Sequence, residues 1–358
     1  MKSEHADDLF IEFHQPVKEA ISDCLTILQN QNHPFGTFTS DTFKNLKEYT
    51  LRGKLIRGSL VPFTYFKLPG RQVPESDVYA LSAVMEIFQS MLLIHDDIMD
   101  QDALRRGKPA IHRLYAREAE KEGMRNFNHY GECMGICIGD IAVFAAFAVV
   151  SRLNCEPGII RDILELFSRE LMLVGMAQMQ DLRSSEIALR RLKWDDIIDT
   201  YRLKTGRYTF SLPMSLGAML RDTDNTIRHN LETLGEYLGI IFQIKDDEIG
   251  MFGNPDETGK PNDSDIAEGK KTLFMHLLMS SMEESGKAEL NRILENYRGA
   301  DDLAWVRDNM ERCSIREHIT ETLRKYAEKC ADIIDALPQT PFSDQLRVFL
   351  AYNLDRGH

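Results

Sequence analysis

Apolar residues recur at every third or fourth position from Pro16 almost to the last residue, and no stretch alternates for long at a period of two. This spacing is typical of one face of an α-helix, whereas a half-buried strand requires strict alternation. Only 22 of the 358 residues are Gly and 12 are Pro, which favours long uninterrupted elements. No solenoid repeat or Ser/Gly linker divides the chain. The pattern therefore predicts an all-α fold, a helical bundle forming a single domain over residues 1–358.

Proline and capping residues mark the ends of five long helices. These helices are predicted from Pro16 to about Asn30, from Pro74 to near Asp100, from Pro157 to about Asp181, from Asp195 onward with a kink at Pro213, and from Thr223 to about Gly253. Shorter helices are predicted over residues 40–51, 109–121, 130–152, 270–283, 287–297, 302–312, 314–336 and 343–354. Loops are predicted over residues 101–108, 122–129 and 253–269, and the length of the last suggests a functional loop.

The charge of the chain restricts its partners. The formal net charge is −13, which argues against binding to nucleic acid or to an anionic membrane surface. The longest apolar run, Ile141 to Val150, has ten residues and is too short to cross a bilayer. The first ten residues are polar and acidic, unlike a signal or transit peptide. We therefore expect a cytoplasmic protein without a transmembrane segment.

The six cysteines form no CxxC pair. Cys133 and Cys137 lie four positions apart in an apolar stretch, where they could join a metal site. Free cysteines are more often part of the core, so we predict that both are buried structural thiols. This use of cysteine fits a reducing, cytosolic compartment.

The helix predicted from Pro74 ends in a cluster of aspartates. Asp96 and Asp100 are four positions apart, so they point the same way and lie about 6 Å apart along the helix axis. Two like charges at a helix C-terminus are unfavourable, and a bound cation would explain them. A solvated acidic helix end is the alternative for this cluster taken alone.

A second aspartate cluster follows the same pattern. Asp246 and Asp247 come one turn after Gln243, and in the first cluster Gln89 precedes Asp96 on the same helix face by two turns. Glycines lie on the same helix face as Gln243 and Asp246, at positions 235, 239 and 250. Glycine is unfavourable inside a helix, so this face is expected to admit another group close to the backbone.

Paired carboxylates suit Mg²⁺, which shares its remaining coordination positions with water and phosphate. Zinc is disfavoured because only His95 accompanies either cluster. The His95-Asp96 dipeptide also matches the start of an HD-type phosphohydrolase signature, a weak alternative. Basic residues are grouped at Lys54 and Arg57, at Arg105-Arg106, at Lys204, and at Lys260, Lys270 and Lys271. On an acidic chain, this set indicates a polyanionic ligand held by metal and by Lys and Arg together.

These elements resemble, in order over nearly the whole chain, the motifs of the trans-type isoprenyl diphosphate synthases, the polyprenyl synthetase family. The matching elements are GKxxR at Gly53–Arg57, DDxxD at Asp96–Asp100, Arg-Arg-Gly at Arg105–Gly107, Lys204-Thr205, Gln243 with Asp246-Asp247, TGK at Thr258–Lys260 and GKxT at Gly269–Thr272. The resemblance, closest to the geranylgeranyl diphosphate synthases, implies an isoprenoid synthase bundle with a central cavity. It also implies a cytoplasmic homodimer that condenses isopentenyl diphosphate with dimethylallyl, geranyl or farnesyl diphosphate.

The resemblance also implies a role for each matched residue. The diphosphate of isopentenyl diphosphate is expected on Lys54, Arg57, Gln89 and Arg106, and the allylic diphosphate on Arg105, Lys204, Lys260 and Lys270. Thr205 and Gln243 would line the reacting end. Three Mg²⁺ ions are expected, two on Asp96 and Asp100 and one on Asp246, with Asp97 and Asp247 supporting these ligands. Gly250 replaces a third aspartate that many members have, which puts one secondary metal contact in doubt.

The length of the product depends on residues below the first motif. Met91 and Leu92 lie five and four positions before Asp96, where aromatic rings stop elongation early in the family. Here both are aliphatic, and Phe88 lies one turn deeper as a candidate floor. This pattern predicts geranylgeranyl diphosphate, with farnesyl or longer polyprenyl diphosphates as alternatives. An ordinary core role for all three residues is nearly as well supported by the sequence.

Three functions of other classes remain open. A class I terpene cyclase shares the fold and the metal chemistry, but it would not need Lys54, Arg57 and Arg106 for a second diphosphate. A catalytically silent partner subunit of a hetero-oligomeric synthase usually loses one aspartate motif, and both are present here. A plain helical interaction protein would leave the aspartate and basic elements unexplained.

Overall fold

The computed structural model describes residues 9–31, 34–253, 264–267 and 269–356. Within these residues the regular structure is helical, apart from strands β1 (Leu104–Arg105) and β2 (Lys108–Pro109). The two strands pair antiparallel, with Leu104 opposite Pro109 and Arg105 opposite Lys108. The predicted all-α class is therefore confirmed. The described residues divide into two compact units, and the chain passes from one to the other inside helices.

The amino-terminal unit comprises Asp7–Glu165 and Pro213–Thr223. Its helices are α1 (Ile11–Gln31), α2 (Thr37–Thr50), α3 (Ile56–Lys67), α4 (Glu75–Met99), α5 (Ile111–Lys121) and α6 (Phe127–Val150). Helix α4 is the core of this unit, because α1, α3 and α6 all pack against it. Ser82 to Met91 of α4 are buried without interruption, so this helix has no solvent face over that stretch. It carries the first aspartate motif at its C-terminal end.

The carboxy-terminal unit comprises Leu166–Leu212 and Asp224–His358. Helix α7 (Pro157–Glu186) and helix α9 (Leu212–Leu220) cross the boundary between the units. The other helices of this unit are α8 (Trp194–Thr200), α10 (Asn225–Phe252), α11 (Ser264–Ala267), α12 (Leu273–Ser281), α13 (Glu284–Glu295), α14 (Ala300–Arg312), α15 (Ile315–Ala336) and α16 (Pro341–Asp355). A 3₁₀ turn covers Leu189–Arg191 and a π-helix covers Tyr201–Ser211. Helix α10, with the second aspartate motif, packs against the π-helix, α15 and α16.

The long helices begin and end near the predicted positions, with two differences. Helix α3 is not among the predicted helices, because Gly58 and Pro62 lower its intrinsic helix propensity; eight of its residues are nevertheless buried. The element with the predicted kink at Pro213 contains a π-helix, Tyr201–Ser211, which the sequence did not indicate, just before that proline. Pro213 follows the π-helix without a break in the helical backbone, so it cannot donate the backbone hydrogen bond that another residue there could donate.

The prediction that Cys133 and Cys137 are buried is wrong, because both are exposed. Helix α6 packs through its glycine face instead: a Cβ on Gly131 would meet the backbone of His112, and one on Gly135 would meet the side chain of Ile98. The two cysteines stand two positions along from these glycines, which places them on the opposite side of the helix. Small residues therefore form the packed face of α6 and the thiols face outward.

Two helices, Glu75–Met99 and Phe127–Val150, are long and apolar enough to cross a membrane by those two criteria, which the core helices of soluble proteins also meet. Their apolar windows are 67% and 44% buried. For α4, this burial within the amino-terminal unit is that of a core helix. The absence of a transmembrane segment stays a prediction.

Candidate active site

The first aspartate motif holds one carboxylate firmly and leaves two accessible. Asp97 is fully buried; the Tyr49 hydroxyl donates to its Oδ2 at 2.8 Å and Arg105 Nε donates to its Oδ1 at 2.6 Å. Burial and the adjacent Asp97 carboxylate raise the pKa of Tyr49, so its hydroxyl keeps the proton that it donates. Asp96 is 23% exposed and Asp100 is exposed. Asp96 and Asp100 are thus the carboxylates that this motif offers to a ligand.

The second motif has the same arrangement. Asp247 is buried, and it accepts hydrogen bonds from the Tyr201 hydroxyl and from Gln243 Nε2, the latter at 3.1 Å. The pKa of Tyr201 lies well above its ordinary value because the ring is buried and faces Asp247. Asp246, one residue earlier, is 37% exposed. Each motif therefore has one aspartate that a tyrosine hydroxyl holds in place, and at least one aspartate whose carboxylate is accessible to solvent.

The donor chemistry of Asp96, Asp100 and Asp246 fits Mg²⁺, which prefers carboxylate oxygen. Among the described residues, no three His, Cys, Asp or Glu side chains stand close enough together to hold a metal ion by themselves. Mg²⁺ commonly binds to one or two carboxylates and completes its octahedron with water and substrate phosphate. Accessible carboxylates such as these can share a metal ion with a diphosphate.

The glycine face of α10 allows the π-helix to approach it closely. A Cβ on Gly239 would overlap the backbone of Gly206, and one on Gly235 would overlap that of Ser211. The close approach predicted from the glycine spacing is therefore present, and the group admitted is the backbone of the Lys204-Thr205 segment. Thr205 Oγ1 donates to Gln243 Oε1 at 3.0 Å, and Lys204 Nζ lies 2.7 Å from Asp181 Oδ2.

A buried ion network fixes the same π-helix from its other side. The guanidinium of Arg207 donates to Glu170, with Nε at 2.8 Å from Oε2 and Nη2 at 2.6 Å from Oε1. Its third nitrogen donates to Glu236 of α10. Glu170 is 1% exposed and also pairs with Arg169, whose Nε lies 2.9 Å from Glu170 Oε1, so removing Arg207 would leave this buried carboxylate with one of its two cations. The segment that carries Lys204 and Thr205 is therefore held by both backbone packing and charge.

The basic elements of the amino-terminal unit lie next to each other. Gly53 stands against the guanidinium of Arg106, where a Cβ would be 2.8 Å from Nη1. The backbone N–H of Gly58 donates to Glu86 Oε1 at 2.7 Å, and Glu86 also faces the charges of Arg57 and Arg106. Gly53–Gly58 and the Arg105-Arg106 turn therefore form one basic cluster, in which Lys54 is exposed.

The remaining predicted site residues are spread more widely. Gln89 is buried on α4, at 9% exposure. Lys270 is exposed, whereas Lys271 Nζ donates to Ser184 O at 3.0 Å and also to Ser185 O, near the end of α7. A cation there compensates carbonyl groups at a helix C-terminus, a structural use of this lysine. The TGK element, with Lys260, lies outside the described residues.

The candidate floor residues lie inside the amino-terminal unit. Phe88 is fully buried, and its ring packs edge-on against Phe147 of α6, with the centroids 5.5 Å apart. Met91 is 8% exposed and Leu92 is partly exposed. Phe88 thus lies deeper in this unit than the two aliphatic residues nearer the motif.

A family model described as polyprenyl synthetase matches residues 40–310, which is about three quarters of the chain. The chain belongs to the polyprenyl synthetase family. It is a prenyltransferase, with the isoprenyl synthase fold.

Relatives support this placement over most of the chain. A short chain isoprenyl diphosphate synthase from Methanocaldococcus jannaschii is 30% identical over 280 residues, covering 77% of this chain and 79% of the relative. A geranylgeranyl diphosphate synthase from Saccharolobus solfataricus is 28% identical over 350 residues, covering 95% and 94%. The crystal structure of geranylgeranyl pyrophosphate synthase from Corynebacterium glutamicum, complexed with isoprenyl diphosphate and magnesium, has the same fold. Its TM-score is 0.88 at 23% identity, covering 96% of this chain and 99% of that one.

Several polar residues of this family member's site were missed by the sequence analysis. Tyr49 and Tyr201 bind aspartates that lie 48 and 46 positions away, and no local spacing indicates such contacts. Glu86 did carry a signal, because it is an isolated acidic residue in the apolar stretch of α4. Asp181 and Arg356 carried none, since charged residues near helix ends are common.

Burial raises the pKa of Glu86, although the Gly58 amide and the Arg57 charge oppose the shift. A carboxyl group with a raised folded pKa loses its contribution to stability as pH rises. We expect the unfolding free energy of the wild type to fall, relative to Glu86→Gln, as pH rises from about 4.5 through the folded pKa. Denaturant titrations between pH 4.5 and 8 measure this difference. Glu118→Gln, an exposed position on α5, controls for loss of one charge, and a Glu86→Gln curve parallel to wild type would contradict the expectation.

Proposed function

We propose that this prenyltransferase condenses isopentenyl diphosphate head-to-tail with an allylic diphosphate in a Mg²⁺-dependent reaction, and that its main product is geranylgeranyl diphosphate. The observation that carries the proposal is the basic cluster of Gly53–Gly58 and Arg106, present in addition to two accessible aspartate motifs. A class I cyclase ionises one diphosphate and has no use for a second anion site. The Saccharolobus relative is named a geranylgeranyl diphosphate synthase, and that activity would use both the basic cluster and the aspartate motifs.

Different residues of the chain would bind the metal ions, support the aspartate motifs and orient the substrate. Asp96, Asp100 and Asp246 would hold Mg²⁺, which when bound neutralises the allylic diphosphate so that its C–O bond can ionise. Asp97 and Asp247, fixed by Tyr49 and Tyr201, keep the motif backbones and their accessible neighbours in place. Arg57 and Arg106 would orient isopentenyl diphosphate so that its double bond attacks the allylic cation. The departing diphosphate is the proposed acceptor of the proton lost in the last step.

Further properties follow from the same proposal. We take both units to belong to one catalytic domain, which the family match over residues 40–310 supports because it includes parts of each. Three Mg²⁺ ions per site, a homodimer and a cytoplasmic location are proposed on family grounds. Farnesyl and longer-chain synthesis are the alternatives for the product.

The direct test supplies radiolabelled isopentenyl diphosphate with dimethylallyl, geranyl or farnesyl diphosphate in turn, followed by chromatography of the dephosphorylated products. A synthase converts label into a twenty-carbon alcohol. Label-free cyclic hydrocarbon made from the allylic substrate alone would identify a cyclase. Absence of any product from all three primers would indicate a silent partner subunit.

The basic residues are expected to divide between the two substrates. Lys54→Ala and Arg57→Ala should raise the KM for isopentenyl diphosphate more than the KM for the allylic diphosphate, while Lys204→Ala and Lys260→Ala should do the reverse. Steady-state kinetics with each substrate varied in turn measure the split. Lys67→Ala, at the far end of α3 in an ion pair with Glu12, is the control and should change neither KM. Equal effects on both substrates would refute the assignment.

A further inference from the structure

Arg356, which follows α16, reaches the second aspartate motif. Its Nη1 lies 2.7 Å from Asp246 Oδ1, and its guanidinium carbon lies 4.1 Å from the centroid of the Phe242 ring. The Arg356 side chain is only 16% exposed, although it carries a full charge. Phe242 and Asp246 are four positions apart on α10, so the arginine covers one turn of that helix. It thereby touches the carboxylate that the proposed function assigns to a metal ion.

The position of Arg356 is built into the fold. Phe342, Leu346, Phe349 and Leu350 of α16 are buried, and the helix starts with a proline and a capping box at Thr340 and Ser343. Phe210 links the elements: its ring packs against Phe349 at 5.8 Å and against Phe242 at 5.5 Å. The packing of these aromatic rings therefore places Arg356, the residue after α16, beside Phe242 and Asp246.

The charged residues next to Asp246 on α10 make contacts with other groups. Lys245 Nζ lies 2.6 Å from Glu248 Oε2, and Asp247 accepts from Tyr201 and Gln243. Arg356 thus brings a positive charge from another helix to Asp246. A guanidinium in contact with one carboxylate oxygen repels a divalent cation at the other, because the two cations would stand only a few Å apart in a partly desolvated site.

We propose that Arg356 is a built-in counter-ion of Asp246 that a divalent metal ion must displace, so that it sets the metal concentration at which the second motif is loaded. The inference rests on the proposed function, because it takes Asp246 as a metal ligand. When a metal ion displaces it from Asp246, the guanidinium can stay on the face of the Phe242 ring, where cation–π attraction holds it. Asp246 is thereby neutralised before metal binds and released when metal arrives.

The test titrates the full chain, saturated with an unreactive allylic thiodiphosphate that completes the metal coordination, with Mn²⁺. The loss of the free Mn²⁺ signal in electron paramagnetic resonance counts the ions bound beyond those that the thiodiphosphate alone retains. The second-motif site is the binding that Asp246→Asn removes. Arg356→Gln should tighten this site by on the order of fivefold, the effect of breaking one partly exposed ion pair. Arg356→Lys keeps the charge and should stay closer to wild type than Arg356→Gln does. In the Asp246→Asn background, Arg356→Gln should change nothing.

Arg347→Gln is the matched control, since Arg347 lies on α16, carries the same charge and pairs with Asp335 and Asp344 instead. Its Mn²⁺ affinity should equal that of the wild type. If Arg356→Gln and Arg347→Gln tighten Mn²⁺ binding equally, the effect is one of net charge and the inference is overturned. Weaker binding in Arg356→Gln overturns it too, because the arginine would then position Asp246 for the metal.

The same titration separates this inference from the proposed function. If Asp246→Asn removes a Mn²⁺ site and Arg356→Gln leaves that site unchanged, only the counter-ion role is refuted. If Asp246→Asn removes no site, the metal assignment in the proposed function fails, and the counter-ion role fails with it. The circular dichroism spectrum of each variant establishes that it is folded before it is titrated.

Discussion

Asp96→Ala and Asp246→Ala are each expected to lower kcat by about two to three orders of magnitude while leaving the helical circular dichroism signal intact. Both carboxylates are accessible, and neither is buried within its unit. Substitution of such groups usually changes stability little, whereas loss of a charge that neutralises a leaving diphosphate acts directly on the ionisation step. Steady-state assays across a range of Mg²⁺ concentrations, with thermal melts of each variant, measure both effects.

Two further variants make this prediction specific. Asp97→Ala should lose stability as well as activity, because it leaves the buried Tyr49 hydroxyl and the Arg105 guanidinium without their shared partner. Glu248→Gln, two positions from Asp246 and paired with Lys245, should remain close to wild type in kcat. Parallel loss of helicity and activity in Asp96→Ala would favour a structural role. Near-normal turnover in either Asp96→Ala or Asp246→Ala would refute the mechanism.

Sequence alone could predict the features that depend on the spacing of residues close together along the chain. The helix with Asp96 and the helix with Asp246 were both anticipated to within a few residues, because apolar periodicity and capping signals are local. The glycine face of α10 predicted a close neighbour for the same reason. Its identity, the π-helix around Gly206, depends on tertiary packing and could not be deduced.

What the sequence could not predict depends on packing across the chain. Helix α3 contains Gly58 and Pro62 and looks like a poor helix, but burial against α4 compensates for low propensity. The burial predicted for Cys133 and Cys137 is wrong because free cysteine is often a core residue, whereas here glycines form the packed face of α6 and both thiols face outward. The tyrosines that fix Asp97 and Asp247 come from other helices, and their contacts are made only in the folded chain.

The length of the product is expected to follow the position of the first bulky side chain below Asp96. A helix descends about 5.4 Å per turn, so moving a blocking residue by one turn changes the product by roughly one five-carbon unit. We expect the flexible side chain of Met91 not to stop a fifteen-carbon chain, whereas Phe88, one turn deeper, is buried and packs against Phe147. Met91→Phe should therefore shift the main product from twenty to fifteen carbons, and Phe88→Ala should extend it beyond twenty.

Chromatography of the dephosphorylated alcohols measures the distribution, and a matched truncation controls for general damage to the core. Removing a buried Phe side chain costs about 3–5 kcal/mol wherever it lies, so Phe63→Ala, which truncates another fully buried ring of the same unit, should destabilise the protein comparably. It should leave the product length unchanged, because Phe63 of α3 packs against Phe10, which precedes α1, and does not lie below the motif. If the wild type makes only farnesyl diphosphate and Phe88→Ala leaves the distribution unaltered, Phe88 is not the floor. The floor would then be sought on α6, the helix that carries Phe144 and Phe147 and packs against α4.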